Sequence, residues 1–199
     1  MRGSLIAVAF FAVGVVCGRL DVLPGAIAAG GVSTAALCAL MFAVAFGVGR
    51  EPTSLVRAVQ AHPRLALLPV ATIVGTLAGS LLLALADPTR TAGEWCAVGA
   101  GMGYYSLSSV LIGEYRGPEL GTLALLANIV RELLALLVAP LWYRLFGRLA
   151  PIAVAGATSM DTALPVCVRY AGRDYASLAI YHGFVTDASV FFLVTLFVG

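Results

Sequence analysis

From Val22 to Gly49 the chain carries no charged residue, and from Leu65 to Ala86 it again carries none. Runs of this kind constrain the fold more than any other feature of the sequence. About 20 apolar residues cross the hydrocarbon core of a bilayer as a helix. Within that core every backbone N–H and C=O must find its partner inside the protein. Of the 199 residues, 61% are hydrophobic and 11% charged, with a mean hydropathy of +0.99. No soluble domain of this size hides that much apolar surface, so the composition predicts an all-α integral membrane protein. The formal net charge of +2 offers no broad basic face for nucleic acid, and every basic residue is arginine.

The runs order themselves along the chain. Leu5–Gly18 is a short first span, extended by snorkelling of Arg2 and Arg19. Met1-Arg2 ahead of it imitates a signal peptide, but no small-residue cleavage site stands out, so the segment is read as retained. Val22–Gly49 and Leu65–Ala86 follow as the second and third spans. Between them, Arg50 to Arg64 is hydrophilic, with Arg50, Arg57 and Arg64 against Glu51 alone. Leu120–Tyr143 and Ala176–Val198 complete a set of about five crossing helices. Two further stretches are poor spans. Near 97–113, Gly99, Gly101 and Gly103 weaken a helix by about 1 kcal/mol each. Near 150–168, Asp161 and Pro165 interrupt an apolar run too short to cross. Both read as broken, re-entrant segments.

Charge placement supports that layout. Arginines gather on the cytoplasmic side. If 97–113 dips in and returns, then Arg144 and Arg148 end inside with the 50–64 loop, the chain ends outside, and Arg19 is the misfit. The two broken stretches then enter from opposite faces, each beginning Gly-Ala with a methionine nearby. That is the pattern of an inverted repeat around a mid-membrane transport site. The expected organisation is one membrane domain over 1–199, with three spans in 1–90 and the chemistry in 95–199.

That chemistry centres on Gly156-Ala157-Thr158-Ser159-Met160-Asp161. A carboxylate held at membrane depth by broken backbone marks a functional site by default; the alternative is a helix cap near the interface. Asn128, Arg131 and Glu132 lie at i, i+3 and i+4 of one helix. An unpaired charge there costs roughly 2.5–3.5 kcal/mol, so each needs a partner or water. Arg131 either pairs with Asp161 or Glu132 between helices, or stands beside a bound substrate. His182 and Asp187 could relay protons, or the histidine could simply bond a neighbouring helix. Tyr104, Tyr105, Ser106, Ser108, Ser109 and Ser159 either line a polar path or pack helices. Cys17, Cys38, Cys96 and Cys167 are scattered, with no metal-ligand spacing. There is no phosphate loop, no dinucleotide fingerprint and no nucleophile elbow around Ser106 or Ser159. Neither an enzyme nor a cofactor or metal is expected.

Several of these residues together resemble the bacterial lysine exporter family LysO. The likeness rests on Gly103-Tyr104-Tyr105-Ser106-Leu107-Ser108, Glu114 with Gly117-Pro118, and Asn128-Ile129-Val130-Arg131-Glu132-Leu133. It continues through Gly156 to Asp161 with Leu164-Pro165-Val166, and ends on His182-Gly183-Phe184. The resemblance implies export of L-lysine or a similar cationic amino acid across the inner membrane, by cation or proton exchange, with Asp161 as the important acid. The candidate binding residues are therefore Asp161, Glu132, Arg131, Asn128, Ser159, Ser106, Tyr105 and His182. Family members are longer and carry a second intramembrane acid ahead of the part matched here. This departure implies a small three-span membrane subunit, or a homo-oligomer, as partner. The alternative is a membrane subunit that does not itself transport.

Overall fold

The computed structural model describes residues 63–199 continuously, together with Val13, Val16, Cys17, Arg19, Leu20, Ala35 and Phe42. The chain divides into two compact units, Met1–Gly47 and Val48–Gly199. The first two expected spans and nearly all of the 50–64 loop lie outside the described residues.

Every regular element among the described residues is helical. A 3-10 turn, Leu65–Leu67, leads into α1, Leu68–Ala86. Next come α2, Ala92–Gly99, and α3, Tyr105–Arg116. The long α4 spans Pro118–Leu137, and α5 Ala139–Phe146. After α6, Ala150–Ala155, a 3-10 turn runs Gly156–Met160 and α7 runs Leu164–Ala171. A last 3-10 turn, Arg173–Tyr175, opens α8, Ala176–Val198. Three stretches are long and apolar enough to cross a membrane: Leu65–Ala86, Pro118–Leu137 and Arg173–Val198. These are the three expected spans that fall within the described residues. One boundary differs. The helix expected to run from Leu120 to Tyr143 stops at Leu137, and α5 begins afresh at Ala139-Pro140. Pro140 has no N–H to continue the ladder and its ring opposes the preceding turn.

The two expected breaks are present. The first limb, α2, starts from a capping box: Thr91 Oγ1 accepts from Glu94 N, and the Thr91 N–H donates to the Glu94 carboxylate at 2.8 Å. That bond holds the Glu94 carboxyl below its ordinary pKa. Helix then gives way at Ala100–Tyr104, where Met102 has φ +44° and Gly103 φ +95°. The second break runs from Gly156, at φ +62°, to Ala163.

Each broken pair returns to the end from which it came. Arg90, just before α2, pairs with Glu119 in the first turn of α4. Arg116, at the end of α3, donates Nε–H to the Val198 carbonyl at 3.0 Å. A Cβ on Gly93, in the first turn of α2, would sit 3.4 Å from the Phe197 carbonyl oxygen. Both limbs thus reach the C-terminal end of α8. At the other end, Cys167 Sγ on α7 lies 3.6 Å from the Pro151 carbonyl on α6. The Tyr143 and Tyr170 rings stack there at 6.0 Å. Tyr181, near the start of α8, donates to the Ala66 carbonyl at 3.2 Å, placing the start of α1 at that same end. The broken pairs therefore enter from opposite ends of the unit.

They meet at their breaks. The Ala157 N–H donates to the Met102 carbonyl at 3.0 Å. A Cβ on Gly156 would overlap that carbonyl oxygen, and one on Gly103 would lie 3.2 Å from the Ala155 carbonyl. Helix α8 presses on the crossing through Gly183, where a Cβ would come within 2.6 Å of Met160. These are backbone contacts that no side-chain rotation relieves. Gly156→Ala should cost several kcal/mol, on the order of 3 or more, from overlap and positive φ together. Gly75→Ala in α1 is the control: nothing lies within 4 Å of its Cβ position. Thermal unfolding in detergent should show a large fall in Tm for the first variant and none for the second.

Candidate functional site

Broken helices leave backbone groups without partners, and a few polar side chains supply them here. Asn128, on α4 and 3% exposed, accepts from the Gly103 N–H at 2.7 Å. Its amide donates to the Val98 carbonyl at 3.3 Å and the Ala124 carbonyl at 2.8 Å. One side chain thus ties α4 to both sides of the first break. Arg131, one turn further along α4, does the same for α6. Its Nε–H donates to the Val154 carbonyl at 3.0 Å and one terminal nitrogen to the Ala153 carbonyl at 3.3 Å. The other reaches Thr76 Oγ1 on α1 at 3.2 Å. A cation at the carbonyl end of a helix is well placed electrostatically. The sequence left open a pairing of Arg131 with Asp161 or Glu132, and the guanidinium goes instead to carbonyls and a hydroxyl.

The second break is held from α8. Ser159, fully buried, donates to the Gly156 carbonyl at 2.8 Å or the Ala179 carbonyl at 2.9 Å, and lies 3.1 Å from His182 Nδ1. His182 Nε2 lies 2.9 Å from Thr72 Oγ1 on α1. The ring is fully buried between these two hydroxyls. Asp187, five residues on, turns by about 140° from His182 around the helix. The two are therefore not placed as a relay.

The carboxylates gather on the other side of α4. Asp161 sits at the end of the 3-10 turn, exposed, with φ −130° and ψ −95°. The N–H of Thr162 donates to Asp161 Oδ1. The hydroxyl of Thr162 donates to Glu132 Oε1 at 2.7 Å and lies 3.3 Å from Asp161 Oδ1. Glu132, only 2% exposed, is thus joined to exposed Asp161 through one threonine. Tyr105, at the start of α3, is within electrostatic reach of both carboxylates. Tyr104 is within reach of Asp161 and Asp187. Ser106 is half-buried one residue beyond, and its carbonyl accepts from Ser109 Oγ at 3.4 Å.

Of the residues singled out in the sequence, Asp161 and Glu132 come together at Thr162, while Tyr105 is half-buried at the start of α3. Asn128, Arg131, Ser159 and His182 instead bond the broken backbone. Thr162 and Thr76 escaped sequence reasoning. Thr162 follows Asp161 directly, and an acid–hydroxyl dipeptide inside an apolar context was the available signal. No group of three or more metal-ligating side chains occurs among the described residues.

Comparison with known proteins identifies the family. The family model described as Lysine exporter LysO matches residues 8–198. The lysine exporter LysO of Escherichia coli K12 is 38% identical over 128 residues, which are 64% of this chain and 41% of that protein. A Haemophilus influenzae protein named "Putative lysine exporter" is 36% identical over 91 residues, 46% of each chain. The matches thus span less than half the length of either relative. No solved structure matches. A multi-pass helical protein of the bacterial inner membrane, with two broken segments bonded to each other at their breaks, this chain belongs to the lysine exporter LysO family.

Proposed function

We propose that this chain moves L-lysine, or a similar cationic amino acid, out across the inner membrane, and that the guest's ammonium meets Asp161 and Glu132. The observation that carries the reading is the Asp161–Thr162–Glu132 linkage at an interrupted backbone. Arg131, next to Glu132 in sequence, is engaged by the α6 carbonyls. An ammonium entering from water finds acceptor oxygens on an exposed aspartate and, behind it, a buried glutamate. The names of the relatives in E. coli and H. influenzae support lysine as the guest, and exchange for a proton or cation is the mode that an acidic site favours.

Charge supports an orientation. The end where α1 begins and α7 finishes carries Arg64, Arg144, Arg148, Arg169 and Arg173 against Asp174. The opposite end carries Arg90 and Arg116 against Asp87, Glu94, Glu114 and Glu119. The basic end is then cytoplasmic, and the carboxylate pair lies on the route from basic to acidic end.

A second reading, a membrane subunit that works with another chain, is favoured by α1. Only 11% of its membrane window is buried. Its Thr72, Gly75, Thr76 and Gly79 line an open groove of about 450 Å³ with Arg131 and Trp142. Co-purification of a second membrane protein, with no lysine flux from the pair, would favour that reading.

Export of labelled lysine from loaded cells tests the first. Asp161→Asn and Glu132→Gln should each lower it by about 10- to 100-fold, the worth of a charge-assisted contact. Unchanged export in either variant removes that residue from the site. Arg131→Gln should act differently, because it strips donors from buried carbonyls rather than from the guest. It should cost about 2–5 kcal/mol of stability, visible as a lower Tm and a lower yield, with the lysine affinity of the surviving protein unchanged.

A further inference from the structure

Thr162 is an uncharged side chain set between two carboxylates. It is exposed, as is Asp161, whereas Glu132 is 2% exposed. Its hydroxyl donates to Glu132 Oε1 at 2.7 Å, and the same oxygen lies 3.3 Å from Asp161 Oδ1. Its N–H donates to Asp161 Oδ1 as well. The backbone around it is fixed by its own turn. The Ala163 N–H bonds the Thr158 carbonyl at 3.0 Å, and the Leu164 N–H bonds the Asp161 carbonyl at 3.2 Å. The hydroxyl is therefore presented from a braced frame, at the rim of the site, rather than from a loose loop.

A hydroxyl carries one hydrogen and two lone pairs. The hydrogen of Thr162 is spent on Glu132, so toward an incoming guest the same oxygen can only accept. Asp161, as a carboxylate, also only accepts, and Glu132 Oε1 has a further lone pair beside the bond from Thr162. Three acceptor oxygens from three different residues thus adjoin, with Thr162 Oγ1 in the middle. A primary ammonium is a compact charge with three N–H bonds splayed as a tripod, and it can give one to each. A guanidinium is a flat fork that matches the two oxygens of one carboxylate. That match is poorly offered here. Asp161 Oδ1 already receives the Thr162 N–H, and Glu132 lies buried behind the hydroxyl.

We propose that Thr162 is a specificity-determining residue of the guest site, completing with Asp161 and Glu132 a three-oxygen cradle that takes a primary ammonium in preference to a guanidinium. The inference rests on the export reading above and names the class of side-chain cation that the site accepts. Thr162 donates to Glu132 and accepts from the guest at once, so no covalent bond forms or breaks. Without its oxygen two acceptors remain, and two serve a fork as readily as a tripod. The carboxylates supply attraction for any cation, and the hydroxyl supplies the choice between cations.

The test uses the full chain, purified and reconstituted in liposomes of phosphatidylethanolamine and phosphatidylglycerol. Counterflow of labelled L-lysine is measured against unlabelled L-lysine, L-ornithine and L-arginine as competitors. In wild type, lysine and ornithine should compete about tenfold or more better than arginine, the worth of one hydrogen bond to a charged group. Thr162→Val, which keeps the shape and removes the oxygen, should erase most of that ratio, and Thr162→Ser should retain it. A purely structural role would lower flux for every competitor and leave the ratio alone. An unchanged ratio in Thr162→Val overturns the proposal, and so does a ratio lost equally in Thr162→Ser. Should Thr162→Val fail to fold, wild type decides with Nε-trimethyl-lysine, which keeps the charge and has no N–H on that nitrogen. It should compete at least tenfold worse than lysine, and equal competition overturns the proposal. Lysine flux with arginine competing equally overturns this inference alone, whereas wild-type protein that carries no labelled lysine overturns the export reading and the inference with it.

Discussion

One backbone hydrogen bond, from Ala157 N–H to the Met102 carbonyl, joins two interrupted helices where both have lost their own ladders. Much of the rest of the unit can be understood as what that junction needs. In a bilayer an unbonded peptide group costs several kcal/mol, so two breaks can coexist at mid-depth only by satisfying each other or by borrowing side chains. Gly103 and Gly156 let the two backbones approach closely enough, and Gly183 lets α8 lie against the result. The crossing is therefore a packed joint rather than a loose pair of loops.

The polar residues of α4 divide the work around that joint. Asn128 closes the first break and Arg131 closes the end of α6, so the side chains that look most reactive in the sequence serve the backbone. Glu132, one residue from Arg131, faces elsewhere because successive helical positions diverge by about 100°. It meets Thr162 and, through it, Asp161. Cation and carboxylate on adjacent residues are thereby kept apart. That separation keeps Arg131 and Glu132 from forming a salt bridge with each other, which would be hard to open in a low-dielectric interior.

How much of this was legible beforehand depended on the kind of signal. The spans within 65–199 follow from the uncharged runs, and the breaks follow from Gly99, Gly101 and Gly103 in one stretch and from Asp161 and Pro165 in the other. Local chemistry decides whether a helix continues. The end of α4 departs from the apolar run for a local reason too: Pro140 stops a helix whatever surrounds it. Roles were less legible. Arg131 and Asp161 carry opposite charges at similar depth, and from sequence a pair between them is as natural as any other arrangement. Likewise His182 and Asp187 share a helix, and only their different neighbours show that they do not work as one relay.

The sequence by itself determined that the chain is helical and membrane-embedded, where its helices are interrupted, and that a carboxylate sits at one interruption. These follow from hydropathy, proline and glycine acting within a few residues of themselves. Only the tertiary structure decided that the two interruptions bond each other, that Arg131 spends its donors on carbonyls, and that Glu132 and Asp161 share Thr162. Those facts depend on which elements cross and at what angle, and residues some 30 to 55 positions apart carry no local mark of it. The crossing selects partners by distance and direction in space, and it left Asp161 open while burying Glu132 behind it.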